Sequence, residues 1–128
     1  MLLKNETPLS NLSIKEKELL SYFDMEEIIR QTIEQIKKDF DSFGLEIQLP
    51  KSNENVYQTI FNQIEPFILK LIKDNYQKLL QVLYRIDVSE KSISESVNNS
   101  TAAELSSVIT KHIILRELQK VVVRNYYK

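Results

Sequence analysis

The chain contains no cysteine and no tryptophan, and it has only one histidine and one glycine among its 128 residues. The lack of cysteine excludes disulfides, thiolate nucleophiles, and iron–sulfur or cysteine-ligated zinc sites. A single histidine, His112, is too few for metal sites that need two or three imidazole ligands. A single glycine, Gly44, cannot supply a dinucleotide-binding fingerprint or a phosphate-cradling loop, because both need several glycines. We therefore predict no catalytic residues, no metal and no cofactor, and we expect a protein that is not an enzyme.

The charge of the chain is nearly balanced, with 17 Lys and Arg against 18 Asp and Glu. This balance argues against a polycation that coats nucleic acid and against a disordered acidic tail. No apolar run approaches the ~20 residues that span a bilayer, and residues 1–12 lack the continuous apolar stretch of a secretory signal. We predict a single cytoplasmic helical domain over residues 1–128, with no membrane contact and with residues 1–12 flexible.

Apolar residues recur every three to four positions along most of the chain, which predicts an all-α fold. The clearest stripe covers residues 25–43 and ends at Gly44, where a left-handed helix cap is expected. A long central helix is predicted over residues 53–87, with a kink at Pro66 because proline removes a backbone donor. Residues 88–101 are rich in serine and asparagine and are predicted to form a connector. The simplest architecture is an up-and-down bundle of about four helices.

Three capping signatures predict where helices begin. In a capping box, a Ser, Thr or Asp side chain accepts a hydrogen bond from the third helical amide, and an acid at that position reaches back. The pairs that fit are Ser13 with Glu16, Asp24 with Glu27, and Thr101 with Glu104. The segment 45–50 is too short and too alternating for a helix, so we expect an extended crossing segment anchored by Leu45, Ile47 and Leu49.

The last predicted helix carries an uneven charge and a second face. From residue 111 onward it has five basic residues against one acid, and part of this bias suits the negative end of the helix dipole. The dipole does not explain why apolar and cationic side chains share a second stripe, which lies beside the main apolar face of this helix. Aliphatic, aromatic and long cationic side chains together are typical of protein interfaces. The residues of this predicted interface are Ile113, Arg116, Lys120, Val123 and Tyr127.

Three explanations of this stripe stay open on the sequence alone. Another helix of the domain could cover it, a protein partner could bind it, or it could bind nucleic acid. The function we favour is association with a protein partner or with a second copy in a homodimer, through the last helix. The alternative is a nucleic-acid accessory domain that places basic side chains on phosphates. Those side chains would be Arg116, Lys120, Arg124 and Lys128.

Two further sets of residues suggest chemistry but favour a structural interpretation. His112 follows Lys111 and precedes Arg116 by one turn, and two neighbouring cations disfavour both a protonated imidazole and a bound metal ion. Carboxylates on the outer face of an amphipathic helix are usually solvated, which disfavours an enzyme that would use them. The carboxylates concerned are Glu26, Glu27 and Glu34.

The most distinctive local string is YRIDVSE, residues 84–90, at the end of the predicted central helix. Arg85 lies where a cation meets the negative end of the helix dipole, and it could pair with Glu117 or Asp87. Such a pair would pin the two long helices together. We predict a structural polar cluster of Arg85, Asp87 and Glu117, with a functional polar site at this end of the bundle as the alternative.

This string and a second one, ILRELQKV over residues 114–121, give the chain a likeness to known proteins. Together they resemble a small, uncharacterised bacterial family of all-helical proteins. The resemblance covers the C-terminal third to half of the chain. It implies a helical fold, and it assigns neither an activity nor catalytic residues.

Overall fold

The computed structural model describes residues 14–51, 55–89, 91, 93 and 101–126. Within these ranges the fold is all-α and has no strand, which confirms the predicted fold class. The helices are α1 (Ile14–Leu20), α2 (Glu26–Asp41), α3 (Val56–Asp74), α4 (Tyr76–Ile86) and α5 (Ala102–Tyr126), and a 3-10 turn at Ser21–Asp24 joins α1 to α2. The predictions for residues 1–12, for Ser13 and for most of the 88–101 connector lie outside these ranges.

The centre of the bundle is α5, which contacts each of the other four helices. Its consecutive residues Ile113, Ile114 and Leu115 are all buried. At about 100° per residue, three consecutive side chains point around roughly 200° of the helix. A helix that is buried on so many sides must be covered by several neighbours. The central helix is therefore α5 and not the helix predicted over residues 53–87.

The apolar core has a large and a small part. The large part lies between α2, α3, α4 and α5, and α2 and α3 contribute buried residues at the predicted three-to-four spacing. These are Ile29, Ile33, Ile36 and Phe40 of α2 and Val56, Ile60, Ile64, Ile68 and Leu71 of α3. The small part joins Ile28 of α2 to Leu118, Val121 and Val122 of α5, with Leu19, Leu20 and Tyr22 packed against it. The small part of the core anchors the C-terminal half of α5.

The helix predicted over residues 53–87 is two helices that meet at Asn75. The first of them, α3, continues through Pro66, where the sequence predicted a kink, and ends at Asp74. Asn75 has φ −155° and ψ 74°, and its side chain accepts a hydrogen bond from the Lys78 amide at 3.1 Å. Asparagine breaks the helix here because its short amide side chain competes with the backbone for N–H groups.

Two of the predicted helix ends are confirmed and one is wrong. Gly44 has φ 85° just beyond α2, the left-handed conformation that glycine adopts without steric cost. At the start of α5, Thr101 Oγ1 accepts from the Glu104 amide at 3.1 Å, and Glu104 Oε1 accepts from the Thr101 amide at 2.9 Å. The residue that precedes α2 is Met25, which has no side-chain capping bond, so the capping box predicted at Asp24 does not begin this helix.

The segment 45–50 is neither helix nor strand, and one of its expected anchors faces solvent. Ile47 is buried, whereas Leu49 is 62% exposed. Gln63 of α3 holds the segment by donating to the Gln48 carbonyl at 3.0 Å and accepting from the Gln48 amide at 2.7 Å. A side-chain amide therefore supplies the partners that a neighbouring strand would otherwise provide.

Because α5 is central, a cavity made beside it should lower the free energy of unfolding by a large amount. We expect Leu118→Ala to lower the free energy of unfolding by about 2–5 kcal/mol, because Leu118 is fully buried. The matched control is Leu49→Ala, which changes an exposed leucine and should cost less than about 0.5 kcal/mol. Urea unfolding of the two variants measures both values. Equal costs for the two substitutions would contradict this packing.

Candidate functional site on the last helix

The structure divides the predicted interface stripe of α5. Ile113 is 0% exposed and belongs to the large core, so the prediction that it reaches the surface is wrong. The reason is that α5 packs against helices on several sides, so a second apolar stripe is needed inside the molecule. Val123 is 46% exposed and remains on the surface. Tyr127 lies outside the described residues.

The two cations of the stripe form ion pairs within the chain. Arg116 Nη2 lies 2.8 Å from Asp87 Oδ2, and Arg116 Nε donates to the Asp87 carbonyl at 3.1 Å. Lys120 Nζ lies 2.6 Å from Glu117 Oε1 and 3.5 Å from Asp39 Oδ2. Both side chains are partly buried, and both are directed to acids of their own chain. Because both cations are already paired within the chain, they are less available to bind a protein partner.

The remaining basic residues of α5 give little support to the nucleic-acid alternative. Lys111 is buried, and its Nζ lies 3.9 Å from Glu16 Oε2. Burial lowers the pKa of Lys111, because a charged ammonium is poorly solvated there. Arg124 is exposed and donates to Gln35 Oε1 at 3.4 Å. Lys128 lies outside the described residues. Phosphate binding needs several exposed cations on one face, and the described part of α5 does not present them.

The predicted polar cluster of Arg85, Asp87 and Glu117 forms only in part, because Arg85 and Glu117 meet around Asp39 whereas Asp87 lies outside this group. Arg85 does not pair with Asp87 or Glu117, because its Nε lies 3.4 Å from Asp39 Oδ1. Asp87 pairs with Arg116, and Glu117 pairs with Lys120. The shared residue is Asp39 of α2, which the sequence analysis missed. The available signal was its position three residues after Ile36, on the apolar face of the helix, where an acid needs a buried partner.

We call Asp39, Glu117, Lys120 and Arg85 the buried charge cluster, because its two acids are buried, whereas the Arg85 side chain is 47% exposed. The side chain of Asp39 is 4% exposed and that of Glu117 is 0% exposed. Burial, together with the neighbouring Asp39, raises the pKa of Glu117 to about 8, and the Lys120 ammonium opposes this rise only in part. Burial acts in the same direction on Asp39, but hydrogen bonds with Glu117 and Gln35 and the charge of Lys120 hold its pKa below the ordinary value. At neutral pH the charge of the pair resides on Asp39.

The C-terminal end of α5 carries an exposed apolar patch. Its members are Met25, Val123 and Tyr126, which are 43–50% exposed, together with the partly buried Tyr22. Tyr126 donates its hydroxyl to Met25 Sδ at 3.8 Å, and its ring centroid lies 5.7 Å from that of Tyr22. Val123 precedes Tyr126 by three residues, so the two side chains are neighbours on the helix surface.

Polar contacts fix the apolar patch to the start of α2. Asn125 Nδ2 donates to Gln31 Oε1 at 2.9 Å, and Asn125 Oδ1 accepts from Gln31 Nε2 at 3.5 Å. Charged residues of both signs surround this link. A shallow groove beside it is lined by Arg30, Gln31, Glu34, Gln35, Lys38 and Arg124. The apolar patch therefore lies on a rigid base with a mixed charged border.

A cavity of about 290 Å³ lies beside the middle of α5. Its walls include Leu19, Leu115 and His112, together with the Arg116–Asp87 ion pair. Burial lowers the pKa of His112, and the neighbouring Lys111 lowers it as well, so the imidazole is neutral at pH 7. Among the described residues, no group of three His, Asp or Glu side chains is placed to hold a metal ion.

Comparison with other proteins adds no further identification. No protein-family model, no curated protein and no solved structure matches the chain. The resemblance of the C-terminal half to a bacterial helical family therefore stays a prediction. In the part of the chain that the structure describes, none of the helices has the length and apolar character needed to cross a bilayer.

Removal of a cation from the buried charge cluster should lower the free energy of unfolding more than removal of an exposed cation does. We expect Lys120→Met to lower the free energy of unfolding by about 2 kcal/mol or more, because it leaves the buried Asp39 with fewer partners. The control is Arg30→Met, whose ion pairs with Glu27 and Glu34 are exposed, and it should have little effect. Urea unfolding at pH 7 measures the difference. A smaller cost for Lys120→Met than for Arg30→Met would contradict the assignment.

Proposed function

We propose that this protein acts by association with another protein chain rather than by catalysis, and that the partner is a second copy bound at the apolar patch. The observation that supports the proposal is the exposure of Met25, Val123 and Tyr126 side by side. Single exposed apolar residues are ordinary, but adjacent ones are typical of interaction sites. Tyrosine, methionine and arginine are also enriched in protein interfaces, and Arg124 borders this patch.

The border of the apolar patch favours a second copy over an unrelated partner. A twofold dimer brings the same surface of both subunits together, so that surface must be complementary to itself. Basic and acidic side chains lie together here, with Arg30 pairing to Glu27 and Glu34, and with Arg124 next to them in the groove. A border with both signs can pair with its own copy after a twofold rotation. A strongly basic or acidic border would repel it.

The residues beneath the apolar patch hold its backbone in place before a partner binds. Leu118 and Val122 lie in the small core below, and the Asn125–Gln31 contact ties the helix end to α2. A rigid surface loses less conformational entropy when it binds than a mobile one does. In the proposed dimer, Val123 and Tyr126 of each copy would be the apolar anchors.

The solution mass of the wild-type protein and of three variants tests this proposal. We expect the wild-type protein to reach twice its chain mass of 15.1 kDa as concentration rises. Tyr126→Asp and Val123→Asp should give folded monomers, because a carboxylate placed in an apolar interface is costly to desolvate. The control Tyr84→Asp, at an 88% exposed tyrosine of α4, should dimerise like the wild-type protein.

Light scattering after size-exclusion chromatography measures these masses, and circular dichroism shows whether each variant is folded. A wild-type protein that stays at 15.1 kDa up to millimolar concentration would overturn the proposal. Equal weakening by Tyr84→Asp would place the interface elsewhere, and that result would overturn it as well.

A further inference from the structure

Two carboxyl groups meet inside the bundle, where water does not solvate them. Glu117 of α5 is 0% exposed and Asp39 of α2 is 3% exposed, and the Lys120 ammonium lies 2.6 Å from Glu117 Oε1 and 3.5 Å from Asp39 Oδ2. The two acids therefore share one cation, and burial favours the neutral form of a carboxyl group. This arrangement indicates that one of the two acids is neutral.

The surrounding donors show which acid keeps the proton. Asp39 faces Arg85 Nε at 3.4 Å, Gln35 Nε2 at 3.2 Å and Lys120 Nζ at 3.5 Å. Glu117 has the close Lys120 ammonium, but neither of its oxygens receives a well-oriented hydrogen bond from a described residue. Ionisation is favoured where donors are most numerous. The negative charge therefore belongs on Asp39 and the proton on Glu117.

We propose that Glu117 is a neutral acid in the folded protein and that it donates its proton to Asp39. This hydrogen bond would be a pH-sensitive contact between α5 and α2. When the proton is lost to the solvent at alkaline pH, two buried carboxylates face each other. The charged groups around Glu117 are Asp39 of α2 and Lys120 of α5, with Arg85 of α4 on the other side of Asp39, and the described residues of α1 and α3 add none. One shared ammonium then has to stabilise both carboxylates, and the attachment of the two helices weakens.

The direction of the pH effect follows from proton binding. The pKa of Glu117 is about 8 in the folded protein and 4.5 for an ordinary glutamate, so the folded state holds more protons between these values. The unfolding equilibrium constant must therefore rise with pH in this range, by at most tenfold per pH unit for one proton. His112 acts in the opposite direction, because burial lowers its pKa, and its contribution fades as the pH rises past the ordinary histidine value of 6.5. Asp39 contributes stability that is lost only in acid, as the pH falls through its lowered pKa. Glu117 is therefore the group that makes the unfolding constant rise with pH between about 6.5 and 8.

Glu117→Gln provides the first test, because glutamine keeps the shape of the neutral acid and cannot ionise. We expect the unfolding constant of the wild-type protein to rise from pH 6.5 to 8 and that of the variant to rise less. The difference between the two slopes should be at most tenfold per pH unit. Glu34→Gln, at an exposed acid of α2, is the matched control and should follow the wild-type slope. Urea unfolding at several pH values measures these constants. Equal slopes for the wild-type protein and Glu117→Gln would overturn the proposal.

Carbon-13 NMR of the side-chain carboxyl groups is the second test, and it uses the folded wild-type protein, so it does not depend on whether a variant folds. We expect the Glu117 carboxyl carbon to titrate with a midpoint near 8, and the backbone amides of α2 to exchange faster above that pH. A midpoint at or below 4.5 would overturn the proposal. The result does not depend on the dimer proposal, because both tests can be made at concentrations where the chain is monomeric.

Discussion

Burial of α5 on most of its circumference is the constraint on which the other features of the fold depend. The other four helices with described bounds, α1 to α4, all touch α5, and its apolar side chains contribute to both parts of the core. Each fully buried leucine or isoleucine contributes about 1.5–3 kcal/mol when it leaves water, so these contacts dominate the stability of the bundle. The same enclosure forces the polar residues of α5 to find partners within the chain, as Lys120 and Glu117 do.

The sequence predicts the type of each element better than the positions at which the elements end. Apolar spacing is a local property, so it correctly indicates α2, α3 and α5 as helices. Gly44 and the Thr101–Glu104 pair are confirmed because a cap is formed by residues close together in the chain. The break at Asn75 was missed because proline is the more obvious helix breaker, whereas Pro66 is accommodated within α3.

The candidate site is less predictable, because it depends on which helix faces which. A single-helix pattern identifies Arg85 and Glu117 as buried or paired, but it does not reveal that Asp39 joins them from another helix. The error at Ile113 has the same origin, since periodicity shows an apolar face without showing whether the face is covered. Val123 was predicted correctly as a surface residue, but nothing in the spacing along α5 distinguishes it from the buried Ile113.

Amide hydrogen exchange along α5 tests most directly whether this helix is the enclosed centre of the bundle. An enclosed helix opens only when the whole domain unfolds. The account predicts that the amides between Ile113 and Val122 exchange with the free energy of global unfolding, whereas those at the C-terminal end of α5 exchange faster. Exchange of the middle of α5 at a much lower free energy than α3 would show a surface helix that opens independently, and it would contradict the account.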